Sequence, residues 1–277
     1  MSNAPHLSYL GFRLFSPAPV LRPYIRNYWL IRSQSRLAMQ HEEFLHPEGG
    51  FGMIFNFGDN FAFDGELVGK KYLMDGANSK SRRMQFHGKV EAIGIRFYTG
   101  GAYPFLKIPL YELADEFLLL DDLALKLIAS LYERIINTVD IDEKIRLLEN
   151  WLIQRLHHSD TPLSELIKPA LQLIHNQDDM PSIKTIADDL FISQRQLERV
   201  FKTQVGMTPK HYARLQRIEE ARQFLKIQAA DTGSIGIAPG YYDQSHFIRE
   251  FKASIGMTPL QYRERHLKRL SNQSNSK

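Results

Sequence analysis

The stretch that decides the fold reads SQRQLERVFKTQVGMTPKHY at residues 193–212, and fifty positions later it returns as DQSHFIREFKASIGMTPLQY at residues 243–262. Nine of the twenty aligned positions are identical, including the whole of the word GMTP and the final tyrosine. A solenoid needs three or more repeats to bury a continuous core, so two copies indicate something else. The repeat predicts a pair of related helical units.

Each copy is predicted to be a capped helix followed by the start of a second helix. Ser193 and Asp243 stand where a side-chain oxygen accepts the unpaired backbone N–H groups of the first turn. Gly206 and Gly256 suit the left-handed residue that follows a helix C-terminus. The Thr-Pro pair after each glycine then starts the next helix, because threonine caps and proline is tolerated in the first turn.

The outward face of each copy carries side chains that recognise nucleic acid. Arginine, glutamine, serine and histidine hydrogen-bond to base edges, and lysine neutralises phosphate. We predict DNA contacts from Gln194, Arg195, Glu198, Arg199 and Lys202 in the first copy, and from Gln244, Ser245, His246, Arg249 and Lys252 in the second. Glu198 suits either a cytosine amino group or an ion pair along the helix, and Ile248 suits either packing or a base contact.

A short helical segment precedes each copy, SIKTIADDLFI at 182–192 and GSIGIAPGYY at 233–242. A short helix, a tight turn and a capped helix with a polar outer face form a helix-turn-helix motif. Residues 208–228 predict one helix of about 30 Å between the copies. Successive major-groove turns on one side of B-DNA lie about 34 Å apart. The interval of the repeat therefore fits two recognition helices in adjacent turns of the groove.

The segments ADDLFISQRQLERVFKTQVGMTPKHY and GYYDQSHFIREFKASIGMTPLQYR resemble the paired helix-turn-helix domain of the AraC/XylS family of bacterial transcriptional regulators. The resemblance runs from about Leu163 to Arg265, over a third of the chain. It implies DNA binding and regulation of transcription, with bases faced by Arg195, Glu198, Arg199, Gln244, Ser245 and Arg249. The stretches PEGGFGMIFNFGD and GIRFYTGGAYPF resemble the β-rich sensing domains of some family members.

One segment departs from the family pattern. Gly236 and Pro239 stand where the second positioning helix normally carries an alanine and a larger apolar residue. In a helix interior glycine costs about 1 kcal/mol and proline roughly 3 kcal/mol relative to alanine. We therefore expect this helix to be short or distorted and the DNA contacts of the second motif to be less secure.

The rest of the chain predicts an α+β fold. Residues 1–110 read as a β-rich, cupin-like or barrel domain, in which residues 51–65 (FGMIFNFGDNFAFDG) predict a hairpin and residues 89–101 (KVEAIGIRFYTGG) a strand. From about Tyr111 the apolar spacing becomes helical, so residues 111–160 form a helical connector, either packed in the core or dimerising. An all-α domain at 163–265 and a disordered polar tail at 271–277 complete the chain.

The β-rich domain holds the candidate residues for a small-molecule effector. His41, Glu43, His46 and Glu48 suit a metal ion, but they lack the close His-x-His spacing of metal-binding barrel enzymes, so we predict no metal or cofactor. Arg96, His46 and Glu48 are candidate effector contacts, with a structural ion pair as the alternative for Arg96. The aromatic residues between Phe51 and Phe63 suit either the core or the wall of an effector pocket.

Composition excludes several function classes. Cysteine is absent, which rules out disulfides, thiolate metal sites and a cysteine nucleophile. The net charge of +4 is uneven, since residues 163–277 carry 17 Lys/Arg against 12 Asp/Glu and the remainder carries 18 against 19. This asymmetry indicates a polyanionic partner. There is no apolar run of roughly 18 residues and no signal-peptide pattern, so we expect a cytoplasmic protein without a membrane partner.

The sequence therefore predicts a cytoplasmic DNA-binding transcriptional regulator that is not an enzyme. Helices 194–204 and 244–254 would enter successive major grooves of double-stranded DNA, with the N-terminal domain modulating them. The transcription machinery, a small-molecule effector and a second copy of the chain are its expected partners. Two alternatives remain: an enzyme or ligand-binding barrel that uses the helical domain for targeting, and a protein-interaction module that has lost DNA binding.

Overall fold

The computed structural model describes residues 5–68, 72–119, 128–175, 182–227, 240–241 and 243–274. Its strands are β1 (Arg13–Phe15), β2 (Ile25–Arg32), β3 (Leu37–Leu45), β4 (Gly52–Asn56), β5 (Phe61–Phe63), β6 (Glu66–Val68), β7 (Tyr72–Asp75), β8 (Arg82–Gly88), β9 (Glu91–Phe97) and β10 (Phe117–Leu119). Its α-helices are α1 (Tyr103–Leu106), α2 (Ile128–Ile136), α3 (Ile141–His157), α4 (Ile167–His175), α5 (Ile183–Asp189), α6 (Gln194–Val205), α7 (Pro209–Ile227), α8 (Gln244–Ile255) and α9 (Pro259–Ser274). The predicted α+β fold is confirmed.

The N-terminal domain is built from two antiparallel sheets that pack face to face. One sheet has the order β1-β2-β9-β4-β7-β10 and the other has the order β3-β8-β5-β6. Ile54 and Ala92 of the first sheet share a core with Phe61 and Phe86 of the second. The opposite face of the first sheet is covered by helices, so β9 is buried on both sides. The strand predicted within residues 89–101 is thus a central strand.

The hairpin predicted around residues 51–65 is wrong. β4 pairs with β7 and β9 in one sheet, whereas β5 pairs with β6 and β8 in the other. The Asn56 side chain accepts from Gly58 N at 3.0 Å and donates to Asp59 O at 2.9 Å, which turns the chain locally. Gly58 N and Asp59 N then donate to carbonyls of Glu91 and Lys89, so the connection crosses between sheets.

The predicted boundary at residue 110 also falls short. β10 pairs antiparallel with β7, aligning Phe117 with Asp75, so the β-rich domain continues to Leu119. Its short apolar run lacks the alternation by which a strand is recognised in sequence. The segment 271–277, predicted to be disordered, is helical as far as Ser274, and residues 275–277 lie outside the described part. No proline or glycine interrupts this last helix.

The connector helices are packed in the core. Leu131 and Ile135 of α2 and Leu148 and Leu152 of α3 belong to the cluster that covers the first sheet. Asp140 caps α3, its carboxylate accepting from Glu143 N at 2.8 Å. Of the two roles left open for these helices, core packing is the one that their apolar faces serve. None of the described helices combines the length and apolar character needed to cross a membrane.

Candidate nucleic-acid interface

The two recognition helices, α6 and α8, begin and end as the repeat predicts. Ser193 Oγ accepts from Gln196 N at 3.2 Å, and the Asp243 carboxylate accepts from Ser245 N and His246 N at 2.9 and 3.2 Å. Gly206 and Gly256 close the helices in the left-handed conformation, with φ of 88° and 81°. The predicted helix, left-handed glycine and Thr-Pro restart are confirmed in both copies.

Each recognition helix presents one apolar and one polar face. Leu197, Phe201 and Val205 are buried under α6, and Phe247, Phe251 and Ile255 are buried under α8. All ten side chains predicted to contact DNA are exposed: Gln194, Arg195, Glu198, Arg199, Lys202, Gln244, Ser245, His246, Arg249 and Lys252. The structure therefore brings five of them together on each helix, available to a polyanion.

The structure bears on the two positions, Glu198 and Ile248, for which the sequence left alternative roles open. Within the described residues Glu198 forms no ion pair with Arg195 or Lys202, so its carboxylate is available to a partner. Ile248 is 37% exposed and does not belong to the core beneath α8. The outward position of Ile248 therefore favours a contact outside the protein over packing.

Helix α7 joins the two units along its length of 19 residues. Its first half, including Tyr212 and Leu215, packs with the first unit, whereas Ile218 and Leu225 pack with the second. Ion pairs fix the crossing of α7 and α8, with Arg214 Nε and Arg217 Nη2 lying 3.9 and 3.8 Å from Glu250 Oε1. Helix α7 is thus part of both helix-turn-helix units. Its length corresponds to about 28 Å.

The first unit shares a hydrophobic core with the β-rich domain. Phe201 and Tyr212 belong to the same cluster as Phe51 and Phe97. A Cβ added at Gly206 would lie 3.1 Å from the Phe51 ring, so the end of α6 sits directly on the sheet.

The second unit contacts the β-rich domain through polar and aromatic groups on β3 and in the loops next to β3 and β8. Arg269 Nη2 donates to Glu43 Oε2 at 2.9 Å, and the Arg265 guanidinium lies 3.9 Å from the Phe44 ring centre. The ring of Tyr262 meets His46 edge-on at 5.6 Å. Nearby, Ser81 N donates to Ser254 O at 2.7 Å. These contacts could not be predicted from sequence, since the partners lie about two hundred residues apart.

The three candidate effector residues do not converge on one site. Glu48 forms ion pairs with both Arg96 and Arg26, the latter at 3.2 Å. His46 instead lies at the contact with the second unit, with its Nδ1 2.7 Å from Ser81 Oγ. Burial is the main cause that lowers the pKa of His46, to about 2, and nearby positive charges act in the same direction. This histidine is therefore neutral at physiological pH.

The acidic and histidine side chains of residues 41–49 (HEEFLHPEG) also contact different partners. His41 stacks on Tyr9 with ring centres 4.9 Å apart, and Glu43 pairs with Arg269. Among the described residues, no group of three or more His, Asp or Glu side chains is arranged to hold a metal ion. The aromatic residues Phe51, Phe55, Phe61 and Phe63 are buried in the cores of the domain.

A surface cavity of about 320 Å³ lies between the two domains. Its lining residues are Ala77, Tyr111, Ala114, Asp115, Lys202, Gly206, Met207, Thr208 and His211. None of Arg96, His46 and Glu48 is among these. Gly236 and Pro239, where distortion of the second positioning helix is expected, lie outside the described residues.

Two domain families match the chain. One, described as a helix-turn-helix domain, matches residues 186–265, and the other, described as a domain of unknown function (DUF6597), matches residues 13–118. The second match coincides with the β-rich domain as far as β10, beyond the predicted limit of residue 110.

Several proteins named as regulators of transcription are similar to part of the chain. The HTH-type transcriptional activator RhaR of Enterobacter sp. (strain 638) is 37% identical over 73 residues, 26% of each chain. The arabinose operon regulatory protein of Escherichia coli (strain K12) is 28% identical over 125 residues, 43% of each chain. The matches therefore span less than half the length of these relatives. Among solved structures, ToxT from Vibrio cholerae O395 has a TM-score of 0.45 and 12% identity, over 86% of this chain and 99% of that chain.

Proposed function

The C-terminal region is a helix-turn-helix domain of the AraC type, and we propose that it makes this protein a sequence-specific DNA-binding regulator of transcription. The observation that carries the proposal is the repeated basic face. Two equally long helices, each capped at both ends, expose Arg199 and Arg249 at equivalent positions, with Lys202 and Lys252 one turn further on. Two recognition helices in one chain let a single molecule contact two successive turns of the major groove.

In the proposed mechanism, charge supplies affinity and hydrogen bonding supplies specificity. Lys202 and Lys252 would neutralise phosphates and supply affinity that does not depend on sequence. The arginine and glutamine side chains of α6 and α8 would hydrogen-bond to base edges in successive major grooves and supply specificity. The helix α7, which packs with both units, would set the distance between the two grooves.

Selection of bound sites from random double-stranded DNA tests the proposal. A regulator should enrich a site with two elements about 10 base pairs apart, and its affinity for that site should fall steeply between 50 and 200 mM salt, as about six or more released counterions require. A combined Arg195→Ala and Arg199→Ala variant should lose the site. An Arg146→Ala variant on α3, which removes an exposed charge far from α6 along the chain, is the matched control.

The alternatives make different predictions in the same assay. A protein-interaction module that has lost DNA binding would enrich no sequence and show no salt dependence. The enzyme alternative is disfavoured by the relatives, which are named as regulators of transcription. The proposal places the protein in the bacterial cytoplasm, where the chromosome and the transcription machinery are its partners.

Effector binding and dimerisation are finer parts of the proposal. An anionic effector at Arg96 would have to displace Glu48, which already pairs with it at the surface. Effector binding would then affect His46 and Glu48 differently, because of these two residues only His46 contacts the second unit. Thermal-shift screening with small carboxylic acids, comparing wild type with Arg96→Ala, tests this site. Light scattering with and without DNA tests the homodimer.

A further inference from the structure

The two recognition helices are alike at some DNA-facing positions and different at others. Three aligned pairs are the same residue: Gln194 and Gln244, Arg199 and Arg249, Lys202 and Lys252. Three pairs differ in chemistry: Arg195 and Ser245, Gln196 and His246, Glu198 and Ile248. Since both helices have 12 residues, a side-chain N-cap and a left-handed glycine C-cap, equivalent positions face the same way. Any difference between the sequences that the helices read is therefore concentrated in the three unlike pairs, of which Glu198 and Ile248 alone exchange a charged side chain for an apolar one.

Ile248 is an apolar side chain on a polar face. It is 37% exposed, and the core under α8 is completed without it by fully buried neighbours such as Phe247 and Phe251. On the same face stand Ser245, one turn earlier, and Arg249 and Lys252, which are also exposed. Packing inside the protein does not account for a branched aliphatic residue in this position.

The chemistry of the major groove limits what such a side chain can recognise. Isoleucine neither donates nor accepts a hydrogen bond, and among the groups that base pairs present there the apolar one is the C5-methyl of thymine. A glutamate in the equivalent position can only accept, which suits the amino group of cytosine. The unlike pair therefore matches two different bases.

We propose that Ile248 reads the methyl group of a thymine in the half-site bound by α8, while Glu198 reads a base amino group in the half-site bound by α6. The inference rests on the proposed function and deepens it. It makes the operator asymmetric, because one half-site requires a methyl group at the position where the other requires a hydrogen-bond donor. Arg199 and Arg249 then supply the contacts that the half-sites have in common.

Replacing single thymines by deoxyuridine tests the proposal, because the exchange removes only the methyl group. In the selected operator, each thymine is replaced in turn and the affinity of wild-type protein is measured by fluorescence anisotropy. One replacement, in one half-site, should weaken binding about fourfold, the effect of withdrawing one methyl group from apolar contact. Ile248→Ala should bind the thymine and deoxyuridine operators equally well.

Two further variants serve as matched controls. Glu198→Ala should keep the full dependence on the methyl group, because its change lies on the other recognition helix. Ile248→Glu should shift the preferred base at the sensitive position from thymine towards cytosine, making α8 read like α6 there. Circular dichroism and thermal unfolding of each variant establish that it is folded. The deoxyuridine series on wild-type protein does not require any variant to fold.

The outcomes separate the inference from the proposed function. If wild-type protein enriches a site but no deoxyuridine replacement weakens its binding, the methyl contact is overturned and DNA recognition stands. If the methyl dependence persists in Ile248→Ala, another residue makes the contact and the assignment to Ile248 is overturned. If no site is enriched, the proposed function fails and the inference fails with it.

Discussion

Arg269 in the last helix donates a hydrogen bond to Glu43 in the third strand, with Nη2 and Oε2 2.9 Å apart. The contact joins the second helix-turn-helix unit to the β-rich domain across 226 residues of sequence. The first unit is attached differently, because Phe201 shares a large hydrophobic core with the sheet. The second unit has a separate small core around Phe251 and reaches β3 through charged and aromatic groups.

Removing Arg269 should cost more stability than neutralising Glu43. Glu43 is 9% exposed and its burial raises the pKa of its carboxyl group, which the charges of Arg269 and Arg265 oppose. Arg269→Ala takes away the guanidinium that pairs with this buried carboxylate and leaves the longer contact from the Tyr9 hydroxyl at 3.4 Å, so we expect a loss of about 1–3 kcal/mol in the free energy of unfolding. In Glu43→Gln the amide oxygen still accepts from Arg269, and the loss should stay below about 1 kcal/mol.

Urea unfolding followed by circular dichroism measures both free energies. Lys268→Ala, a change to an exposed neighbour on the same helix, is the control and should have little effect. Equal losses in Arg269→Ala and Glu43→Gln would mean that the buried carboxylate does not govern this contact.

His46 should make the protein less stable as the pH falls. Burial, followed by the charges of Arg222, Lys226, Arg269 and Arg265, lowers its pKa to about 2 in the folded state, against about 6.5 when unfolded. Between these values the unfolded chain binds more protons, so stability present at pH 7 is lost on acidification. Since His46 is half-buried, we expect a loss of about 1–2 kcal/mol between pH 7 and pH 5.

His46→Gln isolates this effect. Glutamine does not titrate and can still bond the Ser81 hydroxyl, which lies 2.7 Å from Nδ1 in the wild type. His211 and His266, whose pKa values burial also lowers, contribute a slope of the same sign in both proteins. The difference between the two stability curves from pH 5 to 7 therefore belongs to His46, and parallel curves would contradict its assignment.

The helical domain was predictable because its signals are local. Ser193 is three residues from the backbone N–H that it caps, and Gly206 follows directly after the helix that it closes. The exposed polar faces of α6 and α8 follow from helical spacing in the same way. Local patterns failed in the β-rich domain, where aromatic alternation on both sides of Gly58 suggested two paired strands. The partners of that turn lie in the distant loop around Lys89, which the pattern does not contain.

The contacts between the domains were not predictable for a related reason. In the sequence Glu43 and His46 are neighbours in a short motif for which we predict no metal, and His46 is also a candidate effector contact. Their partners, Arg269 and Tyr262, lie in the final helix. The sequence around them there is that of an ordinary amphipathic helix. Only the packing of the second unit on β3 gives these four residues a common role.

Phe191, in the turn before the first recognition helix, should be replaceable with a gain in stability. It has φ of 55° and is 96% exposed, so it holds a left-handed conformation with no compensating burial. This conformation costs a non-glycine residue about 1–2 kcal/mol, and asparagine adopts it more readily than most residues. We expect Phe191→Asn to raise the free energy of unfolding by about 1 kcal/mol.

Phe191→Ala is the control for this prediction, because alanine removes the ring but keeps the unfavourable conformation. Thermal and urea unfolding should rank asparagine above alanine, with alanine close to the wild type. Equal stabilisation by both variants would mean that the exposed ring of Phe191 destabilises the wild type, and that its backbone conformation does not.

Arg199 and Lys202 should differ in what their removal does to DNA binding. Arg199→Ala should weaken binding to the selected operator by about 1–3 kcal/mol and relax its preference at one base pair. Lys202→Ala should weaken binding to every sequence by a similar factor and reduce the salt slope by about one. Titrations of operator and unrelated DNA at several salt concentrations distinguish these patterns. Unchanged operator binding in Arg199→Ala would exclude α6 as a recognition helix, whereas loss of sequence preference in Lys202→Ala would move that lysine from the phosphates to the bases.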